Sequence, residues 1–160
     1  GKEVRGIRDI KDEVLEEYGI SELDYKVGTM IELPAAALLS GSIAEYAEFF
    51  SFGTNDLTQT TYGLSRDDSN SFFPDYSLYD LMKENPFKVL GEAVKELIAI
   101  STLRGRLTRP DLKIGLCGEH GANPDNIAFC IDTGLNYVSC SPYAIPLAKL
   151  GIAQYNIAKK

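Results

Sequence analysis

Histidine and paired cysteine are what this 160-residue chain has least of: one His, and three Cys at 117, 130 and 140 with no C-x-x-C spacing. That leaves little for a zinc site and no disulfide framework. Free thiols in a reducing, cytosol-like compartment are expected, with an organelle left open for a longer parent. Basic charge is also short, with 16 Lys and Arg against 23 Asp and Glu for a net charge of −7. An acid excess argues against a nucleic-acid duplex or an anionic membrane as partner. No long uninterrupted apolar run is present, which excludes a membrane span. The opening stretch GKEVRGIRDIKDEVLEEYG is charged and helical rather than signal-like. Hydrophobic residues at 44% and charged residues at 24% suit a globular chain with room for one domain core over residues 1–160. A complete eight-fold β/α barrel takes ~250 residues and rarely fewer than about 200, so the chain is too short for one.

What is there alternates between helices and short apolar runs. Ile7, Ile10, Val14, Leu15 and Tyr18 recur at helical spacing, with Gly19 as a stop. Lys26 to Glu32 reads as a strand, followed by Pro34 opening an alanine-rich helix. Ser42 and Glu45 fit a capping box for a second helical piece. Glu48 to Gly53 is a second strand, and Leu64 to Asn85 reads as a long polar loop. Pro86 is expected to open the longest helix, ahead of strands at Leu112 to Cys117 and Tyr137 to Cys140. Asn123-Pro124 starts a helix that Gly134 closes, and the segment from Pro142 to Ala158 forms the last helix. Four strand–helix units in series predict an α/β fold on a parallel sheet.

Parallel sheets bind ligands beyond the carboxyl ends of their strands. Those positions hold Glu32, then Asn55 and Asp56, then Cys117 to His120, then Ser139 to Ser141. Glu32 is either a strand-end carboxylate capping the next helix or a metal ligand facing the pocket. Asn55 or Asp56 either caps the helix from Leu57 or joins Glu32 around a hard cation such as Mg²⁺, which takes one or two carboxylates plus waters and substrate oxygens. Cys117, among Gly115, Gly118 and Gly121, is either a small core residue or a neutral thiol beside Glu119 poised to donate a proton. Cys130 and Cys140 read as packing residues. His120 reads as a structural histidine ahead of a general base. Arg104, Arg106 and Arg109 read as helix-end and loop features rather than a phosphate site. Ser65-Arg66-Asp67-Asp68 is an ion-paired loop or a lid.

The stretches V-G-T-M-I-E-L-P (27–34), F-F-S-F-G-T-N-D-L-T-Q-T-T-Y-G-L-S-R-D-D (49–68), T-R-P-D-L-K-I-G-L-C-G-E-H-G (108–121) and Y-V-S-C-S-P (137–142) together resemble a known family. It is the C-terminal phosphoenolpyruvate-binding barrel of the pyruvate, phosphate dikinases, shared with phosphoenolpyruvate synthase and with enzyme I of the sugar phosphotransferase system. The resemblance covers nearly the whole chain and is weakest before Lys26 and over 69–105. It implies that Glu32 and Asp56 hold Mg²⁺, that Gly53, Thr54, Asn55 and Asp56 line pyruvate or phosphoenolpyruvate, and that Cys117 moves the proton at the methyl or methylene carbon.

Two departures qualify it. Ala35 stands where the family often has arginine. The family's phosphate-clamping arginines come from early barrel strands, and its phosphohistidine and nucleotide-binding domains lie upstream, with no counterpart here. The resemblance therefore implies the C-terminal half of a TIM-type (β/α)8 barrel, about four β/α units, inactive alone and prone to homodimerise. The alternatives are a phosphoenolpyruvate synthase or other Mg²⁺-enolate enzyme, or a non-catalytic dimerisation module.

Overall fold

The computed structural model describes residues 1–159. Four strands, β1 (Thr29–Ile31), β2 (Phe49–Gly53), β3 (Lys113–Cys117) and β4 (Tyr137–Ser139), form one parallel sheet in the order β1-β2-β3-β4. Sequential order with parallel pairing requires a helical crossover between each pair. The crossovers are α2 (Pro34–Leu38) and α3 (Ser40–Ala44), then α4 (Thr54–Tyr62), α5 (Ser69–Leu78) and α6 (Glu92–Thr108), then α7 (Pro124–Asp132). Helix α1 (Lys2–Glu17) precedes the sheet and α8 (Ile145–Ala158) follows it. None of the described helices is long and apolar enough to cross a membrane.

The pleat divides the sheet into two unlike faces. Ile31, Phe52, Leu116 and Val138 are in register across the four strands and point to the helical side, where Phe50 and Ile114 join them. Val94 and Ile98 of α6 and Leu57 of α4 pack onto that side. Full burial of each such side chain contributes about 1.5–3 kcal/mol, so this layer drives the fold. The opposite face carries Met30, Ser51, Gly115 and Tyr137 in the next register row, and none of the four joins the hydrophobic core of the described residues, which leaves this face uncovered.

Three sequence expectations are corrected. Ser42 is not an N-cap: α3 starts two residues earlier at Ser40, whose buried hydroxyl donates to Ser101 O at 3.1 Å and anchors the helix start to α6. The stretch from Leu64 to Asn85 is not all loop, because α5 forms within it despite Pro74. The rings of Phe72 and Tyr76, one helical turn apart, meet at 5.3 Å and supply the support that the polar composition hid. Pro86 does not open the long helix. A turn at Asn85, with Lys88 N–H donating to Asn85 O at 2.9 Å, precedes an extended Gly91, and α6 begins at Glu92. Leu90 N–H is held away from helix geometry by Asn126 Oδ1 at 2.9 Å.

The predicted caps at the other end hold. Asn123 accepts from Asp125 N–H at 2.9 Å at the start of α7, and Gly134 follows that helix at φ +76°. Arg104 and Arg109 donate to the carbonyls of Leu38 and Ala44, and Arg106 donates to Gly134 O, so all three arginines tie α6 to neighbouring segments. Helix α1 is amphipathic as expected, yet Ile7, Ile10 and Val14 stay 50%, 62% and 45% exposed. Its links to the rest are polar, chiefly Arg8 to Glu48 at 3.2 Å.

Candidate functional site

The carboxyl ends of the strands carry one further register row on the uncovered face. Gly53 pairs with Cys117, and Cys117 with Ser139. Glu32 follows Ile31, the partner of Phe52, and so falls beside Gly53. A Cβ on Gly53 would lie 2.7 Å from Glu32 Oε2 and 3.0 Å from Glu32 Cβ. The missing side chain is what lets the carboxylate fold over the sheet toward Cys117. The row thus runs Glu32, Gly53, Cys117, Ser139.

Gly53 also begins α4, whose first turn is Thr54, Asn55 and Asp56. Asp56 is exposed, and the Thr60 hydroxyl, one turn on, touches the main-chain carbonyls of both Asp56 and Glu32. The Thr60 hydroxyl lies 2.7 Å from Asp56 O and 3.3 Å from Glu32 O. Among the described residues, neither the Glu32 nor the Asp56 carboxylate takes part in an ion pair. Glu32 does not cap α2, where Leu33 occupies the N-cap position. No group of three or more His, Cys, Asp or Glu suited to a metal occurs among the described residues. A cation here would therefore rest on two carboxylates, a donor set that suits Mg²⁺ when waters and substrate oxygens complete its shell. Asn55 Oδ1 is buried with no hydrogen-bond partner, an unspent polar atom at the head of α4. The residues present fit the ion.

A cavity of about 350 Å³ opens beside this row, lined by Asn55, Gly118, Glu119, Ser139, Cys140 and Ser141 among others. Glu32, Asp56 and Cys117 are not among its lining residues, although Asn55 and Gly118, the chain neighbours of the last two, are. A roomier hollow of about 460 Å³ lies between Tyr62, Met82 and Lys95, away from the strand ends. The smaller one is better placed for chemistry.

Cys117 is half-buried, and its thiol donates to Phe52 O at 3.4 Å. A carbonyl oxygen only accepts, so in this contact the sulfur is the donor. Cys130 behaves as the packing residue expected of it, with burial pushing its thiol up to about 12. Cys140 does not: it lines the cavity because β4 ends at Ser139 and the chain turns outward there. His120 is fully buried, with Nε2 2.8 Å from Pro86 O and Nδ1 2.8 Å from Thr54 Oγ1. Burial lowers its pKa, partly offset by the Pro86 bond and by Glu119. Thr54 is turned inward, its hydroxyl also 3.0 Å from Cys117 O, so it can offer a ligand only main-chain groups.

The arrangement can do three things chemically. Two unpaired carboxylates can hold a hard cation. The start of α4 and the glycine-flanked turn at Gly118 (φ +121°) offer main-chain N–H groups to an anion. The Cys117 thiol stands in the same row. Sequence reasoning placed all these strand ends but missed the Thr54–His120 link, which joins positions 66 residues apart. Glu119 and Ser141, which line the cavity, fall within the strand-end stretches Cys117 to His120 and Ser139 to Ser141 marked from the sequence, where neither was given a role of its own.

Comparison with known proteins agrees with the motifs. The family model for the phosphoenolpyruvate-binding domain of the phosphoenolpyruvate-utilising enzymes matches residues 1–157. A pyruvate, phosphate dikinase of Treponema pallidum (strain Nichols) is 59% identical over 157 residues, which are 98% of this chain and 17% of that protein. Pyruvate, phosphate dikinase 2 of Zea mays is 52% identical over 155 residues, 96% of this chain and 17% of the relative. The pyruvate, phosphate dikinase of Clostridium symbiosum is 48% identical over 164 aligned residues, 99% of this chain and 19% of the relative. The chain spans under a fifth of the length of each relative and corresponds to one part of it. This chain belongs to the phosphoenolpyruvate-utilising enzyme family, in its phosphoenolpyruvate-binding domain.

Proposed function

We propose that this chain is the pyruvate- and phosphoenolpyruvate-binding part of a pyruvate, phosphate dikinase, built as the C-terminal half of a TIM-type barrel. The observation that carries the reading is the row Glu32, Gly53, Cys117, Ser139 across the uncovered sheet face. Glu32 and Asp56 would hold Mg²⁺. Such an ion, when bound, supplies positive charge against the enolate oxygen and the carboxylate of the substrate. Gly53, Asn55 and Asp56, with the main chain of Thr54, would line the substrate.

In the direction from phosphoenolpyruvate, the bond from phosphorus to the enol oxygen breaks as a bond from phosphorus to a histidine nitrogen forms. The enolate then takes the Cys117 thiol proton at its methylene carbon, leaving pyruvate and a thiolate that must be reprotonated.

The histidine cannot come from this chain. Its single histidine, His120, has both ring nitrogens bonded in the interior. The isolated chain therefore binds but does not turn over. Its exposed edge strands β1 and β4 and the apolar face of α1 favour homodimerisation in isolation.

Titrating phosphoenolpyruvate into the chain with and without Mg²⁺, while following the amide resonances of Gly53, Asn55 and Gly118, tests the binding half of this reading. Shifts that require Mg²⁺ and cluster at those three amides are expected. Equal shifts without Mg²⁺, or shifts centred on the hollow at Tyr62, overturn it. A phosphoenolpyruvate synthase would share this binding. The full-length protein separates the two, because only a dikinase consumes phosphate and forms pyrophosphate.

A further inference from the structure

Cys117 is held to the end of β2 by two bonds, one through its thiol and one through its carbonyl. The thiol donates to Phe52 O at 3.4 Å, and the carbonyl oxygen lies 3.0 Å from Thr54 Oγ1. The second tie has a further member. Thr54 Oγ1 is 2.8 Å from His120 Nδ1, and His120 Nε2 is 2.8 Å from Pro86 O. A carbonyl only accepts, so Nε2 carries the ring hydrogen and the neutral ring presents Nδ1 as an acceptor. The Thr54 hydroxyl has one hydrogen and two acceptors waiting for it, Nδ1 and Cys117 O. The following Gly118 leaves no slack, since a Cβ there would stand 2.9 Å from Thr54 Oγ1. Asn126 fixes the other side of the histidine by donating to His120 O at 3.1 Å while its Oδ1 accepts from Leu90 N–H at 2.9 Å. His120, Thr54 and the turn at Pro86 thus form one buried, polar brace behind the strand ends.

We infer that His120 is a positioning residue for Cys117, acting through the Thr54 hydroxyl. It touches neither the cavity nor a substrate. Its ring fixes where the Thr54 oxygen sits, and that oxygen fixes the peptide of Cys117 and with it the direction of the thiol. The inference rests on the reading of Cys117 as the proton donor. Proton transfer demands alignment to a fraction of an ångström, whereas the Glu32 and Asp56 carboxylates are not bonded to this brace.

The test uses a full-length dikinase carrying these residues and reads deuterium exchange at the pyruvate methyl group with Mg²⁺ present. Thr54→Val keeps the shape and removes the hydroxyl. It should lower exchange at saturating pyruvate by about tenfold, the worth of one or two hydrogen bonds, with a smaller change in half-saturation. Thr54→Ser, which restores the hydroxyl, should recover most of that loss. His120→Gln keeps an N–H for Pro86 O and leaves the Thr54 hydrogen to Cys117 O alone, without the ring that seats the hydroxyl. It should lose less than Thr54→Val, and the double variant should be no slower than Thr54→Val alone. Parental exchange in Thr54→Val, a loss carried by half-saturation alone, no recovery in Thr54→Ser, or additive losses in the double variant would each overturn the inference. Cys117→Ala is run alongside. Parental exchange in that variant removes the proton-donor reading itself, and loss there with none in Thr54→Val removes only the brace.

Discussion

The ring of Tyr137 occupies the place where Gly115 has no side chain. A Cβ on Gly115 would meet that ring at 2.2 Å, and the Tyr137 hydroxyl reaches across to donate to Phe50 O at 3.2 Å. Three neighbouring strands are thereby joined by one aromatic side chain on the uncovered face.

Gly115→Ala should therefore destabilise the chain by about 1–3 kcal/mol, because the ring must leave its hydrogen bond to admit a methyl. Urea unfolding measures this, as a lowered midpoint at unchanged slope. A midpoint within error of the parent would show that the ring swings aside without cost.

Gly53→Ala should behave differently. The atoms nearest its added methyl include Glu32 Oε2 and Met30 Sδ, both at 2.7 Å, and both belong to flexible side-chain ends. The fold should survive with a small loss, while the Glu32 carboxylate is pushed off the row. Mg²⁺ affinity should fall by about tenfold or more, read by calorimetry. Unchanged affinity would remove Glu32 from the metal site.

The roles of sulfur and carboxylate should separate in a full-length enzyme. Cys117→Ala should abolish methyl-group deuterium exchange and spare Mg²⁺ binding, since a thiol is a poor ligand for a hard cation. Glu32→Ala and Asp56→Ala should lose both. Exchange at the parental rate in Cys117→Ala returns Cys117 to a packing role.

Acid should weaken the fold in two steps of the same sign. Burial lowers the pKa of His120 from an ordinary 6.5, so below that pH the unfolded chain takes up a proton that the folded chain resists. Stability falls as pH drops from 6.5 until the folded histidine also titrates. Glu48 is held below an ordinary 4.5, first by the Val27 N–H at 2.8 Å and then by Arg8. Its stabilising effect is present above 4.5 and is lost as pH falls through its folded value. Urea midpoints measured from pH 7.5 downward should show the first decline near 6.5. His120→Gln should remove that decline and leave the one below 4.5 in place.

Much of this was legible in the sequence because the signals were local. Pro34 starts α2, and Asn123 with Gly134 brackets α7. The β2 and β3 strands end where the glycines at 53 and 118 begin to bend the chain. What stayed hidden depends on partners far along the chain. Ser40 is drawn into a helix by Ser101, and Leu90 is kept out of one by Asn126. The inward turn of Thr54 is decided by His120. Propensity and periodicity carry no information about such meetings, which exist only once the sheet has brought distant segments together.

The sequential strand order sets the timetable on which the site assembles. Pairing β1 with β2 closes the chain from Thr29 to Phe50, 21 residues, and β3 with β4 closes it from Gly115 to Tyr137, 22 residues. Pairing β2 with β3 must close it from Phe49 to Lys113, 64 residues. The longer closure costs about 1 kcal/mol more in chain entropy than either short one. The two outer pairs are therefore able to form as independent nuclei before the central seam zips shut. Every bond that aligns Cys117 with Phe52 and Thr54 crosses that seam. Chemical competence should thus be the last property this chain acquires as it folds, and the first it surrenders when the seam opens.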